Sequence, residues 1–290
     1  MPLKMVVACP ANVVTGGPEA LHQLVHTANE LSPGTAAIWY LPAIGRGAPD
    51  AYRHYECPAV QKPKIPPDAL LVLPEIWPKI GKALSNQRAL WWLSRDNFGT
   101  HGQTELERIT LHLCQSFYAR QALPEALPTM MLTDWVEIPA KPSLSRIDMI
   151  AVNPAKNAGL LEPFRQANAD IPFVYLAGCG RQQVSQALHS ARIYIDFGRH
   201  PGRDRMPREA ALAGCVVLST RHGAASCFDD MPLDDFFKFD SVEELNARVR
   251  EILAGPEKFR AAQDDYRRWV QGQRDTFREE VRVLLDYLDR

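Results

Sequence analysis

One short stretch concentrates the groups best suited to chemistry: Arg199-His200-Pro201-Gly202-Arg203-Asp204-Arg205-Met206-Pro207-Arg208. Guanidinium forks match phosphate oxygens two at a time, so this stretch is suited to a phosphorylated ligand. The bland reading of the same arginines is a solvated loop paired with Asp196 and Asp204. Glu209 follows at once. A carboxylate there accepts hydrogen bonds from ligand hydroxyls, or simply favours a helix N-terminus. His200 lies within the basic run, placed for phosphate contact or proton transfer. A further cation, Lys156, stands in Asn153-Pro154-Ala155-Lys156-Asn157, where the alternative is an exposed turn.

A second group lies nearer the start. In Thr15-Gly16-Gly17-Pro18-Glu19, two glycines let the backbone approach a ligand ahead of a helix N-terminus. The pattern is neither Gly-x-Gly-x-x-Gly nor a P-loop, which disfavours dehydrogenases and kinases. It also fits a plain strand-to-helix turn. Trp91-Trp92-Leu93-Ser94-Arg95-Asp96 supplies an acid, Asp96, that could act as a base or hold a substrate hydroxyl. Glu75, after Leu73-Pro74, occupies an equivalent place. For both acids a loop cap or salt bridge is the competing reading. His101 and His112 are further general-base candidates, His112 within a strand-like run that favours a core role.

The elements that must position these groups alternate. Met5–Cys9 is a valine-rich buried strand, Glu19–Leu31 has helical apolar spacing, and Thr35–Leu41 is a strand again. Ala69–Leu73, Ala89–Leu93 and Thr110–Cys114 continue the strands. Two prolines in Ile138-Pro139-Ala140-Lys141-Pro142-Ser143 suit a linker. The alternation then restarts: strands at Asp148–Val152, Pro172–Leu176, Ala191–Phe197 and Cys215–Ser219, with helices at Gly159–Asn168, Gln182–His189 and Pro207–Ala213. Strands and helices in that rhythm predict parallel sheets, and so an α/β protein of two Rossmann-like domains in tandem. Ser241-Val242-Glu243-Glu244 opens a capped helix, and from Pro256 onward one long amphipathic stretch is expected to cover an apolar groove. The expected domains are 1–139, 140–255 and a terminal helix, 256–290, packing back on the first.

Composition agrees. With 290 residues, 46% hydrophobic, 23% charged and a net charge of −1, the chain is an ordinary globular protein. The missing positive excess argues against nucleic acid as partner. Six cysteines without a Cys-x-x-Cys pair read as reduced, buried thiols in a cytosolic protein, not as a zinc site. No signal peptide is visible before the first strand, and no apolar run approaches a membrane span.

Several of these segments resemble GT-B glycosyltransferases. Gly16-Gly17-Pro18-Glu19 before an amphipathic helix resembles their amino-terminal loop. Arg208-Glu209-Ala210-Ala211-Leu212-Ala213-Gly214-Cys215-Val216-Val217 is similar to their Glu-Ala-x-Ala-x-Gly-x-x-Val segment, and His222-Gly223-Ala224-Ala225 to the turn after the next strand. Asn153-Pro154-Ala155-Lys156 resembles the segment carrying a diphosphate-binding lysine, and the last helix resembles one that crosses back onto the first domain.

The resemblance implies a metal-independent transferase moving a sugar from a nucleotide-sugar donor to a glycan or lipid-linked acceptor in bacterial surface polysaccharide synthesis. It would need no cofactor besides that co-substrate, and would work in the cytoplasm or peripherally at the inner membrane face. Asn153, Lys156, Arg203, Arg205, Arg208 and Glu209 would bind the donor. Asp96 and His200 would be catalytic, and Gly16, Gly17 and Glu19 would form an acceptor or phosphate loop. The sequence departs from the Glu-x7-Glu pattern of the retaining branch, because Pro201 stands eight residues before Glu209. His200-Pro201 is also similar to a pair in sialyltransferase-like enzymes with nucleoside-monophosphate donors. The alternatives are a non-catalytic nucleotide- or glycan-binding module of the same fold and a nucleotide-sugar epimerase.

Overall fold

The computed structural model describes residues 2–42, 47–61, 64–82, 84, 86–98, 106, 109–139, 145–157 and 159–290. They form two compact units. One comprises Met1–Trp135 with Arg274–Arg290, the other Val136–Gln273.

The first unit is built on β1 (Met5–Pro10), β2 (Ala36–Leu41), β3 (Leu70–Pro74), β4 (Arg88–Trp92), β5 (Leu111–Cys114) and β6 (Thr129–Met131), all parallel, in the order β2-β1-β3-β4-β5-β6. Continuous apolar runs such as Met5-Val6-Val7-Ala8-Cys9 bury both faces, as a parallel sheet requires. Helix α1 (Gly16–Leu31) packs Leu21, Leu24, Val25 and Ala28 onto one face. It starts at Gly16, not at Glu19, so both glycines lie in its first turn. Thr15 precedes it in extended conformation and makes no side-chain cap. A short helix, α2 (Phe117–Arg120), follows β5.

The second unit repeats the plan. Strands β7 (Ile147–Asn157), β8 (Phe173–Tyr175), β9 (Ala191–Phe197), β10 (Val216–Thr220) and β11 (Lys238–Phe239) lie parallel in the order β11-β10-β9-β7-β8. Helices α3 (Leu161–Ala167), α4 (Arg181–Ser190), α5 (Arg205–Ala213) and α6 (Val242–Ala254) alternate with them. Helix α5 opens two residues before Pro207. A proline in a first turn removes an amide that has no intrahelical partner, so the helix tolerates it.

The stretch from Pro256 is not one helix. It divides into α7 (Pro256–Ala262), α8 (Asp264–Gln271) and α9 (Gln273–Leu288). Phe259, Tyr266 and Val270 join the second core, whereas Phe277, Val281, Leu284 and Leu285 join the first. The return to the first unit thus begins at Arg274, later than the expected 256. The unit boundary falls at Trp135, ahead of the two linker prolines. Residues 140–144 of that linker lie outside the described residues. Among the described residues, no helix is long and apolar enough to cross a membrane.

Both sheets share one topological feature. In each, the first strand of the unit lies between the second and third, so the direction of strand addition reverses beside it. In the first unit the reversal lies between β1 and β3, and in the second between β7 and β9. Ligands of open α/β sheets bind at such a reversal, outside the carboxyl ends of the strands.

Candidate functional site

In the second unit the end of β7 and the loop leaving β9 meet at this reversal. Lys156, near the end of β7, places its Nζ 2.6 Å from Asp204 Oδ1. Asp204 precedes α5 in the N-cap position, but its carboxylate makes no cap bond; it serves Lys156 and His200 instead. His200 Nδ1 lies 3.1 Å from the other Asp204 oxygen. His200 Nε2 lies 2.9 Å from Ser219 Oγ on β10, and Ser219 donates its own proton to the Thr220 carbonyl. One ring nitrogen thus faces a carboxylate and the other a hydroxyl. Burial opposes its charge, but the carboxylates of Asp196 and Asp204 outweigh burial and raise its pKa. Burial likewise opposes the charge of Asp204, yet His200 and Lys156 hold it well below the ordinary carboxylate range.

Asp196, at the strand end, accepts from the Tyr194 hydroxyl at 2.8 Å and the Gly198 amide at 2.8 Å. The loop needs backbone freedom to close around His200. His200 has φ 46°, and its carbonyl accepts the Ala224 amide. A Cβ on Gly223, φ +56°, would come within 2.1 Å of that carbonyl oxygen, so only glycine fits there.

The expected donor residues separate by environment. Arg208 is 1% exposed. Its guanidinium donates to the carbonyls of Asp204 and Arg203 and to the Gln273 side chain, so it braces the loop from inside. Arg203 is also buried, with Nε 3.5 Å from Asp230 and its guanidinium over the Trp269 ring. Arg205 and Glu209, one turn apart and half-buried, pair at 3.5 Å. Asn153 lies within β7 and not in a turn after it, in a stretch where the register shifts, and accepts the Ala155 amide. Arg199 is exposed, and Lys156 is one-third exposed. Asp196 and Asp204 are expected from the sequence only as partners for the arginines; Asp204 instead pairs with Lys156 and His200.

Asp196, His200 and Asp204 are the one group among the described residues whose donor atoms could close around a metal ion. Lys156 already brings a positive charge to Asp204, and Tyr194 and Gly198 already satisfy Asp196.

In the first unit Gly16 and Gly17 open α1 at the carboxyl end of β1. A Cβ on Gly17 would meet Leu93 at 3.7 Å, so the helix start packs on the loop after β4. Glu19 is not on the loop surface: it is 7% exposed and accepts the Tyr55 hydroxyl. Asp96 is exposed in a short 3-10 turn and accepts the Tyr118 hydroxyl at 3.3 Å. Glu75, at the end of β3, is 3% exposed. His112 is fully buried and accepts from Trp92, a core role. His101 lies outside the described residues.

No family profile matches the sequence, and no curated protein is detectably similar to it. Solved structures are. HepE of Anabaena, solved in complex with UDP-glucose, superposes with a TM-score of 0.71 at 12% identity, over 99% of this chain and all of that one. A sucrose-phosphate synthase from Thermosynechococcus elongatus gives 0.64 at 12% identity, over 98% of this chain and 99% of that one. The β-glucosyltransferase of phage T4 gives 0.56 at 11% identity, over both chains in full. The chain therefore has the GT-B fold that its motifs resemble.

Proposed function

We propose that this chain is a glycosyltransferase that moves a sugar from a nucleotide-activated donor to a glycan or lipid-linked acceptor in bacterial surface polysaccharide synthesis. The observation that carries the reading is the joining of Lys156, Asp204 and His200 at the strand-order reversal of the second unit, beside the exposed Arg199. A departing nucleoside diphosphate gains negative charge. Fixed positive groups stabilise that charge without reorganising. Arg199, Lys156 and Arg205 take this role, and Glu209 holds donor hydroxyls. Arg208 and the buried Arg203 shape the loop that presents them. The first unit recognises the acceptor through Gly16, Gly17 and Asp96.

UDP-glucose, the ligand solved with HepE, is the first donor to test. Calorimetry is expected to detect UDP below millimolar levels, with Arg199→Ala and Glu209→Ala each weakening it about tenfold, the loss of one charged hydrogen bond. Absence of binding by UDP, GDP, CMP and dTDP and their sugars at millimolar levels would overturn the proposal. Product formation with an acceptor separates transfer from mere nucleotide binding, and isomerised donor without acceptor would indicate an epimerase.

A further inference from the structure

We propose that Glu75 is a positioning residue for the acceptor side of this reaction: its carboxylate holds the Leu93–Phe98 turn against the glycine start of α1. The functional part of this inference rests on the transfer reading; the structural part does not.

The geometry is local and continuous. Glu75 leaves β3 beside the strand-order reversal of the first unit, and its own amide donates to the Trp91 carbonyl at 3.1 Å. Its Oε2 accepts the Leu93 amide at 3.2 Å. The Ser94 amide and the Asn97 side chain also donate to it. Leu93 in turn lies beside the start of α1, where a Cβ added to Gly17 would meet it at 3.7 Å. The same turn carries Asp96, and Arg95 lies 4.4 Å over the Tyr118 ring. One carboxylate therefore ties the loops after β3 and β4 together, next to the start of α1.

An ionised carboxylate accepts several amides at once, while a carboxylic acid gives up part of that capacity to its own proton. Burial raises the pKa of Glu75 to about 7, although every hydrogen bond it accepts pulls the other way. No charged side chain is among the groups that set it. Glu19 on α1 is engaged by Tyr55, and Asp96 by Tyr118. The clasp therefore closes as pH rises through about 7 and loosens below it.

The test follows the Leu93 and Ser94 amide resonances of the intact protein from pH 5 to 9, with no substrate present. Both are expected to titrate together with a midpoint near 7, and Glu75→Gln is expected to abolish that titration. Absence of titration across this range, as the ordinary glutamate value of about 4.3 would give, overturns the clasp. If transfer is found, Glu75→Gln should raise the acceptor KM at least fivefold and leave UDP affinity unchanged. An equal loss in both would make Glu75 merely structural. Should no donor ever bind, the functional reading falls, while the amide titration still decides the clasp.

Discussion

Arg208 and Arg199 are the same residue type in one short segment, yet their surroundings give them different work. Arg208 is enclosed and spends its donors on two carbonyls and Gln273. Replacing it with alanine strands those acceptors inside the unit, and is expected to destabilise the protein by about 3 kcal/mol. Arg199→Ala should stay within about 0.5 kcal/mol of wild type, as surface changes do. Urea unfolding of both variants checks this, and matching midpoints would refute the division. The sequence marked both as basic but carried no sign of burial, because an arginine run looks the same whether it faces solvent or carbonyls. His200 adds a pH signature. Its folded pKa is raised by Asp196 and Asp204 against burial. Its contribution is thus complete below the ordinary histidine value of about 6.5, and is lost as pH rises through the folded value. Wild type measured against His200→Gln at pH 6 and pH 9 should show a stability advantage that shrinks at the higher pH.

Elements show where pattern succeeds and where it stops. Strands β1, β4, β5 and β9 were legible because buried parallel strands write predominantly apolar runs, which single polar residues such as His112 and Asp196 do not hide. Strands β6 and β11 were not: they hold three and two residues, and no helix-strand alternation singled them out as it did the equally short β8. Helix α5 starts two residues before the expected Pro207, because a proline marks a first turn without fixing which position in it. Glycines divide by what surrounds them. Gly223→Ala meets the His200 carbonyl at 2.1 Å and should lower the melting temperature by several degrees, displacing His200. Gly17→Ala meets only Leu93 at ordinary contact distance, so it should melt at or slightly above wild type. Differential scanning calorimetry distinguishes them, and equal melting temperatures would contradict the fit.

Across the whole molecule, one plan is used twice: the same strand-order reversal places Glu75 and the α1 glycines in one unit, and Lys156 and Asp204 in the other. The tandem arrangement could be read from the restarting alternation. The partition of the C-terminal helices could not, since an amphipathic period reveals a buried face without naming what buries it. Helix α9 places Phe277 in the first core, stacked on Trp91. Phe277→Ala should cost about 3–5 kcal/mol. Amide exchange should then speed up through β1, β3 and β4 while β7, β9 and β10 keep their protection. Uniform loss across both sheets would show that the units do not melt separately.

The C-terminal return also bears on how the protein is born. Glu280 accepts the Thr133 amide and hydroxyl, and Val281 and Leu284 complete a core whose strands come from the other end of the chain. On the ribosome, the second unit has all of its own residues as soon as Gln273 emerges. The first unit, translated earlier, must wait with an open apolar face until residues near Leu285 arrive. The half made first is thus the half whose core is completed last.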